Sequence, residues 1–377
     1  MLYSFGKGGP DDGASPVAGV INIKGVLYGT TEQGGKYGHV DGAYGYGTVF
    51  NVTPSGTETV LHSFKGGTGD GKYPEAGLVD VRGTLYGTAD EGGTKDRGTV
   101  FAITRSGNET VLYKFKGGSR DGAHPSAGLI NVAGTLYGET LSGGTGENRG
   151  SGDGTVFSIT LSGVETVLYR FKGGSGDGES PYGGLVNVRG TLYGTTYMGG
   201  ANGNGTVFSI TPSGKETVVY SFKGGSADGA HPYASLVEVN GTLYGTTFEG
   251  GAKNEGTVFS ITPSGKEIVL HSFKGGSADG AYPIASLVNL SGTLYGTTPD
   301  GGSNCKTGSG YHGCGTIFAI TPSGKETVLY KFKGGSRDGF HPSAGLIDVA
   351  GTLYGTTPSG GSGCYGARCG TVFWLSP

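Results

Sequence analysis

The chain has 377 residues, with 27 basic and 30 acidic side chains, a formal net charge of −3, 83 glycines and 15 prolines. Balanced charge without a basic stripe argues against a nucleic-acid partner, and apolar runs of three to six residues fall far below the ~20 that span a bilayer. Glycine at this level without a period would signal low complexity, but here it recurs at fixed offsets and reads as turn residues.

Taken in chain order, the first element is Leu2–Phe5, a strand of the Leu-Tyr-Ser-Phe type. The same phrase ends again at Phe64, Phe115, Phe171, Phe222, Phe273 and Phe332, a spacing of 51 to 59 residues. A second phrase, Gly-Thr-Leu-Tyr-Gly-Thr-Thr, stands unaltered at 190–196, 241–247, 292–298 and 351–357, with near copies from Gly25, Gly83 and Gly134. A fixed unit of short β segments is a repeat architecture.

The unit from Ala234 to Phe273 shows its parts. Ser235–Val239 is strand A, and Asn240-Gly241 is a tight hairpin signal. Thr242–Thr247 is strand B, rich in residues suited to a pleated surface. A loop opening on Gly250-Gly251 leads to strand C, Thr257–Thr262; Pro263-Ser264-Gly265 turns the chain into strand D, Glu267–Phe273. A Gly-Gly-x-x-Asp-Gly-x-x-Pro connector then enters the next unit. Four antiparallel strands per unit without helical periodicity match a propeller blade. The chain begins on a D strand and ends on a C strand, Thr371–Ser376, so the last blade takes its fourth strand from 2–5. The expected fold is all-β, a seven-bladed β-propeller over 1–377 as one domain, with an open β-solenoid as the alternative. No charged and apolar leader is visible at the N-terminus, which suggests a mature or trimmed domain.

These phrases together, the Leu-Tyr-Ser-Phe strand, the Asp-Gly connector, the Leu-Tyr-Gly-Thr-Thr strand and the Gly-Thr-Val-Phe strand, resemble the tandem repeats of the GloVer-type family of bacterial choice-of-anchor proteins. The resemblance covers essentially the whole chain. It implies an exported, surface-associated bacterial protein and carries no established activity. No C-terminal anchor accompanies it here.

In a propeller the A–B and C–D turns share one face and the B–C and D–A loops the other. The first set is short and uniform; the second varies, from 248–255 up to 32–46 and 299–314, and function sits on loops held by a rigid scaffold. The residue before each connector proline varies: Ser15, Tyr73, His124, Ser180, His231, Tyr282 and His341. The residue after it includes Glu75, Tyr182 and Tyr233. These positions should ring the channel mouth, where aromatic and imidazole groups suit sugar stacking and hydroxyl recognition. The candidate ligand contacts are therefore Tyr73, His124, Tyr182, His231, Tyr233, Tyr282 and His341, against the plainer reading that they only pack beneath loops. A three-His site of His124, His231 and His341 is disfavoured, because they belong to separated blades. No metal or other cofactor is expected.

The connector aspartates, Asp12, Asp70, Asp121, Asp177, Asp228, Asp279 and Asp338, read as turn formers rather than calcium ligands, which would need 6–8 oxygens. The polar residues of strand A, such as Asn22, Asp80 and Glu238, read as a solvated channel lining. Glu139 breaks the Leu-Tyr-Gly-Thr-Thr phrase, and with Asp153 it could serve a glycosidase-type carboxylate pair or be simple drift. Cys305 with Cys314 and Cys364 with Cys369 read as two loop-internal disulfides of an exported protein, with a four-thiolate zinc site as the alternative. No phosphate-binding or dinucleotide fingerprint is present.

The functional expectation is an extracellular or cell-surface binding module, monomeric, with carbohydrate the favoured ligand. The alternatives are a polysaccharide-active lyase or hydrolase using His or Tyr with a carboxylate of the same face, and a structural surface or matrix protein.

Overall fold

The computed structural model describes residues 1–6, 11–38, 45–144, 152–302, 313–362 and 369–377. Every regular element among them is a β-strand, and seven four-stranded antiparallel sheets follow one another along the chain. Within one blade the strands are Val237–Val239, Thr242–Thr247, Thr257–Ile261 and Glu267–Ser272, in the order A–B–C–D. The seventh sheet is completed by the N-terminal strand: Tyr3 pairs with Val372 and Ser4 with Thr371, in an antiparallel ladder. Thr356 Oγ1 donates to the Ala18 carbonyl across the same join. The protein is a seven-bladed β-propeller closed by its N-terminal strand, which removes the free edge an open sheet would carry.

The ring is tight at its axis. The backbone at Gly19 runs so close to Gly345 that a Cβ there would lie 2.9 Å from the Gly345 carbonyl oxygen. Looser approaches of 3.3 to 3.6 Å link Gly77 to Gly19, Gly128 to Gly77 and Gly184 to Gly128, and Gly184 N–H donates to Ser235 Oγ. Only glycine or serine fills this position around the ring.

The apolar core lies between blades, not within them. Tyr193, Val207 and Phe222 of one blade pack against Leu236, Leu243, Phe259 and Ile261 of the next, and the same composition recurs at the other seams. At each seam the D-strand Phe meets the next blade's C-strand Phe edge-on, at ring-centroid distances of 5.0 to 5.2 Å. Each C–D pair of the six continuous blades carries a bulge before that Phe, as between Val258 and Phe259, which sharpens local twist.

Local turn chemistry explains the uniform face. In the A–B hairpins the first turn residue and the glycine after it both have positive φ, 53° at Asn240 and 82° at Gly241, the geometry of a type I′ turn. The polar residue of strand A is exposed, but it does more than line a channel. Asn22, Asp80, Asn131, Asn187, Glu238, Asn289 and Asp348 each accept the N–H of the turn glycine three residues on. The connector aspartates are structural in the same way. Asp228 Oδ1 accepts the Gly229 N–H at 2.7 Å, and its Oδ2 accepts the Lys223 N–H and the Tyr220 hydroxyl, both at 2.8 Å.

One element was not foreseen. Each connector forms a two-residue strand paired with the start of the following B–C loop, as Gly229–Ala230 with Glu249–Gly250. Seven such ribbons stitch the variable face to the blades.

Because closure depends on residues 1–5, deleting Met1–Phe5 is expected to leave the Thr371–Leu375 edge bare and to lower the melting temperature sharply or cause aggregation. Unchanged melting of the truncated protein would contradict this closure.

Candidate functional site

Three positions per blade lie near one another on the B–C and D–A loop face: the residue before the connector proline, the residue after it, and the residue that follows the Thr-Thr of strand B. The first is held in an unusual way. All seven such residues, from Ser15 to His341, have φ between 55° and 58°, a left-handed conformation that non-glycine residues rarely adopt. Two backbone hydrogen bonds hold it. His231 N–H donates to the Asn204 carbonyl of the preceding blade's loop, and its carbonyl accepts the Phe248 N–H of its own blade. The N–H bond is present at every blade, and the carbonyl bond at the five where the acceptor's partner is not proline. The position is thus a clamp between adjacent loops whose side chain is left free to vary.

The side chains fall into three sectors. In the first, Tyr182 and Tyr233 stack with centroids 4.4 Å apart and an interplanar angle of 20°. Tyr197 meets both edge-on, at 5.6 and 6.1 Å, and lies 4.7 Å from the His231 ring. His231 Nδ1 is 3.0 Å from the Tyr197 carbonyl, and its Nε2 is 3.9 Å from Glu249. Tyr233 is pushed well above the ordinary phenol range by burial and then by Tyr182 and Glu75.

The second sector is polar. Glu75 is pushed up to about 8 by burial, with Asp90, Glu32 and Glu91 adding to the shift. It is therefore largely protonated at neutral pH. His124 Nδ1 lies 3.3 Å from Asp90 Oδ2 and its Nε2 lies 3.1 Å from Arg97; the Asp90 contact raises its pKa, and burial opposes this. Tyr73 packs edge-on against Tyr46 at 5.9 Å, with the Lys72 ammonium 5.5 Å from its ring.

The third sector is a cavity of about 490 Å³ lined by Ser15, Glu32, Phe248, Tyr282, Asp300 and His341, among others. Tyr282 and Phe248 lie 5.1 Å apart with tilted rings. His341 is buried, its Nε2 3.3 Å from the Gly313 carbonyl and 3.8 Å from Asp300. Burial holds its pKa below the ordinary imidazole range.

Of the seven candidates, Tyr182, His231 and Tyr233 come together around Tyr197, Tyr282 and His341 line one cavity, and Tyr73 and His124 each contact other residues, while Glu75 and Asp90 act on Tyr182. Among the described residues, none of His124, His231 and His341 belongs to a cluster of metal-ligating groups. Sequence reasoning missed Glu32, Asp90, Tyr197 and Phe248. Their signal was present, since each directly follows the strand-B Thr-Thr or Thr-Ala and varies from blade to blade. Parts of the long 32–46 and 299–314 loops, and Cys305 and Cys364, lie outside the described residues. Cys314 and Cys369 are buried, and neither is a free cysteine.

Glu139 and Asp153 do not form a carboxylate pair. Glu139 is fully buried, neither of its oxygens has a hydrogen-bond partner, and burial alone raises its pKa far above the carboxylate range. Asp153 is raised by burial and then by Asp177. Glu139 stands where six blades have a Thr that donates to a small residue's carbonyl in the next blade. That small residue is alanine in six blades and Gly183 here. The longer side chain reaches across the seam towards Gly194, where a Cβ would lie 3.1 Å from Glu139 Oε1. A Cβ at Gly183 would instead meet the Ala234 carbonyl and Thr195 Oγ1, at 2.7 and 2.8 Å.

A raised folded pKa means that the neutral acid is the tolerated form, so stability is full below the unfolded value of about 4.5 and is lost as pH rises. Replacing Glu139 with Thr is expected to raise the melting temperature at pH 8 more than at pH 5, since an unsatisfied buried carboxyl costs about 1–3 kcal/mol. An equal or lower melting temperature at pH 8 would show that Glu139 has a stabilising partner.

The comparisons fit this architecture. A candidate 6-phosphogluconolactonase from Bacteroides uniformis ATCC 8492 superposes with a TM-score of 0.55 at 14% identity, over 89% of this chain and 90% of that one. A puromycin hydrolase superposes with a TM-score of 0.55 at 11% identity, over 97% of this chain but 52% of its own length. A puromycin-hydrolyzing peptidase from Mycobacterium tuberculosis gives a TM-score of 0.52 at 11% identity, over 99% of this chain and 55% of that one. At such identities the likeness is one of fold. No curated protein matches in sequence. The model of the Gloeobacter/Verrucomicrobia repeat matches residues 1–151 and 121–309, and the chain belongs to that repeat family.

Proposed function

We propose that the protein is an extracellular or cell-surface carbohydrate-binding module, acting as a monomer, that takes its ligand at the channel mouth. The carrying observation is the stacked Tyr182–Tyr233 pair with Tyr197 edge-on beside it. Half-buried phenol rings offer apolar faces for a pyranose ring and hydroxyls at their rims. Glu32, Asp90 and Glu249 on the same face offer acceptors for sugar hydroxyls. In this reading Tyr182, His231 and Tyr233 form the main subsite, and Tyr73, His124, Tyr282 and His341 contact units further along an oligosaccharide. Neither nucleic acid nor a membrane-spanning segment enters the reading: no helix among the described residues is long and apolar enough to cross a membrane.

Glu75 supports a second reading. A carboxyl held neutral to about pH 8 beside tyrosines is the kind of group that acts as a general acid. On that reading the same face cleaves a polysaccharide, with Glu75 as proton donor.

A screen of soluble polysaccharides for binding, followed by calorimetry on the hits, tests the first reading. Tyr182→Ala or Tyr233→Ala is expected to weaken binding by up to about tenfold, since ring contacts contribute about 0.5–1.5 kcal/mol, and the double variant by more. Wild-type affinity in the double variant would overturn the site. Reducing-end or unsaturated-product assays on the same glycans separate the readings: turnover lost in Glu75→Gln with binding retained favours the enzyme, and binding without turnover favours the module.

An exported chain also fits within-loop disulfides, Cys305–Cys314 and Cys364–Cys369, each worth about 2–3 kcal/mol through restriction of the unfolded chain. Peptide mapping without reduction is expected to find those two links. Cross-loop links or stoichiometric zinc on the cysteines would refute the pairing.

A further inference from the structure

We propose that His62, Asp70 and Glu109, and separately His271, Asp279 and Glu326, form two equivalent sites for a divalent transition-metal ion of the zinc class. Both lie on blade seams, away from the channel mouth. In each, the His comes from one D strand, the Asp from the connector that follows, and the Glu from the next blade's D strand.

The geometry is specific. One ligating atom from each of the three residues lies within 4.8 Å of the other two in both groups. His62 Nε2 is 3.3 Å from Asp70 Oδ2, and His271 Nε2 is 3.4 Å from Asp279 Oδ2. Glu109 Oε1 and Glu326 Oε1 are buried and make no hydrogen bond, as is true of the equivalent oxygens of Glu58, Glu165, Glu216 and Glu267 at other seams, so the histidine is what sets these two seams apart. The aspartates are already oriented from behind: Asp70 accepts the Lys65 and Gly71 N–H groups at 2.9 and 2.7 Å, and Asp279 accepts those of Lys274 and Gly280 at 2.9 and 2.7 Å. Such outer contacts are what fixes a metal ligand in place.

The donor set selects the ion. One imidazole and two carboxylates give three ligands, and a water supplies the fourth position of a tetrahedral zinc site. Calcium would need 6–8 oxygens, which these seams do not gather. Bonds of about 2.1 Å set neighbouring donors about 3.4 Å apart, so the glutamate needs only a small inward rotation.

The molecule supplies its own control. At the other five connectors a tyrosine takes the place of the histidine and donates its hydroxyl to the aspartate: Tyr3 to Asp12, Tyr113 to Asp121, Tyr169 to Asp177, Tyr220 to Asp228 and Tyr330 to Asp338, at 2.8 to 2.9 Å. A neutral phenol there satisfies the aspartate and offers no comparable metal ligand, although the seam glutamate is placed in the same way. The sequence does not show these triads, because their third member comes from the next repeat.

The test is metal stoichiometry on the whole chain. Protein equilibrated with zinc chloride and then dialysed against metal-free buffer is expected to retain two zinc ions beyond those retained by the H62Y/H271Y double variant, and one beyond it in each single variant. Histidine-to-tyrosine exchange installs the side chain of the other five seams, so the fold is expected to survive. Zinc is also expected to raise the melting temperature of the wild type and to have no such effect on the double variant. E109Q and E326Q, which keep shape but remove a ligand charge, are expected to lose the same ions if the tyrosine variants misfold. Wild-type protein that retains no zinc, or variants that retain as much as the wild type, would overturn the proposal.

Discussion

The structure depends on one contact made seven times: the edge of one blade's D-strand phenylalanine against the C-strand phenylalanine of the next. Each such ring pair adds about 0.5–1.5 kcal/mol beyond the burial of its surface. Because the partners belong to different blades, no blade buries its own core, and each is stable only between neighbours. The N-terminal strand matters for the same reason. Phe5 supplies the ring that Phe50 requires, and without it one seam of the seven would open.

Sequence periodicity carried the fold because the seam is encoded by spacing. The Leu-Tyr-Gly phrase, the Thr-Val-Phe phrase and the terminal Phe of strand D each recur once per blade, and their order fixes strand order and ring size. The connector aspartate was legible as a turn former, since Asp-Gly carries that meaning locally. The two-residue ribbons between connectors and B–C loops were not legible. Each pairs residues about twenty apart, such as Ala230 with Glu249, and two residues give no alternation to detect. Strand A is also shorter than its apolar run, three residues in every blade.

The candidate site was legible in part. Variation at the residue before the connector proline singled out seven positions that share one backbone geometry, and the structure explains that variation. The backbone is clamped between two loops in a left-handed turn, so the side chain has no fixed packing duty. What the sequence could not convey was grouping. Tyr182 and Tyr233 stack although their blades are separated by 51 residues, and Tyr197 joins them from a third position that looked like ordinary loop. The Glu139 and Gly183 exchange lies at the preceding seam, between the third and fourth blades.

Ligand recognition by the channel-mouth face is tested most directly by hydrogen–deuterium exchange with and without a bound oligosaccharide. Protection is expected in the segments holding Tyr73–Glu75, Tyr182, Tyr197 and His231–Tyr233, with the Pro-Ser-Gly turns unchanged. Protection confined to those turns, around 212–214 and 263–265, would contradict it.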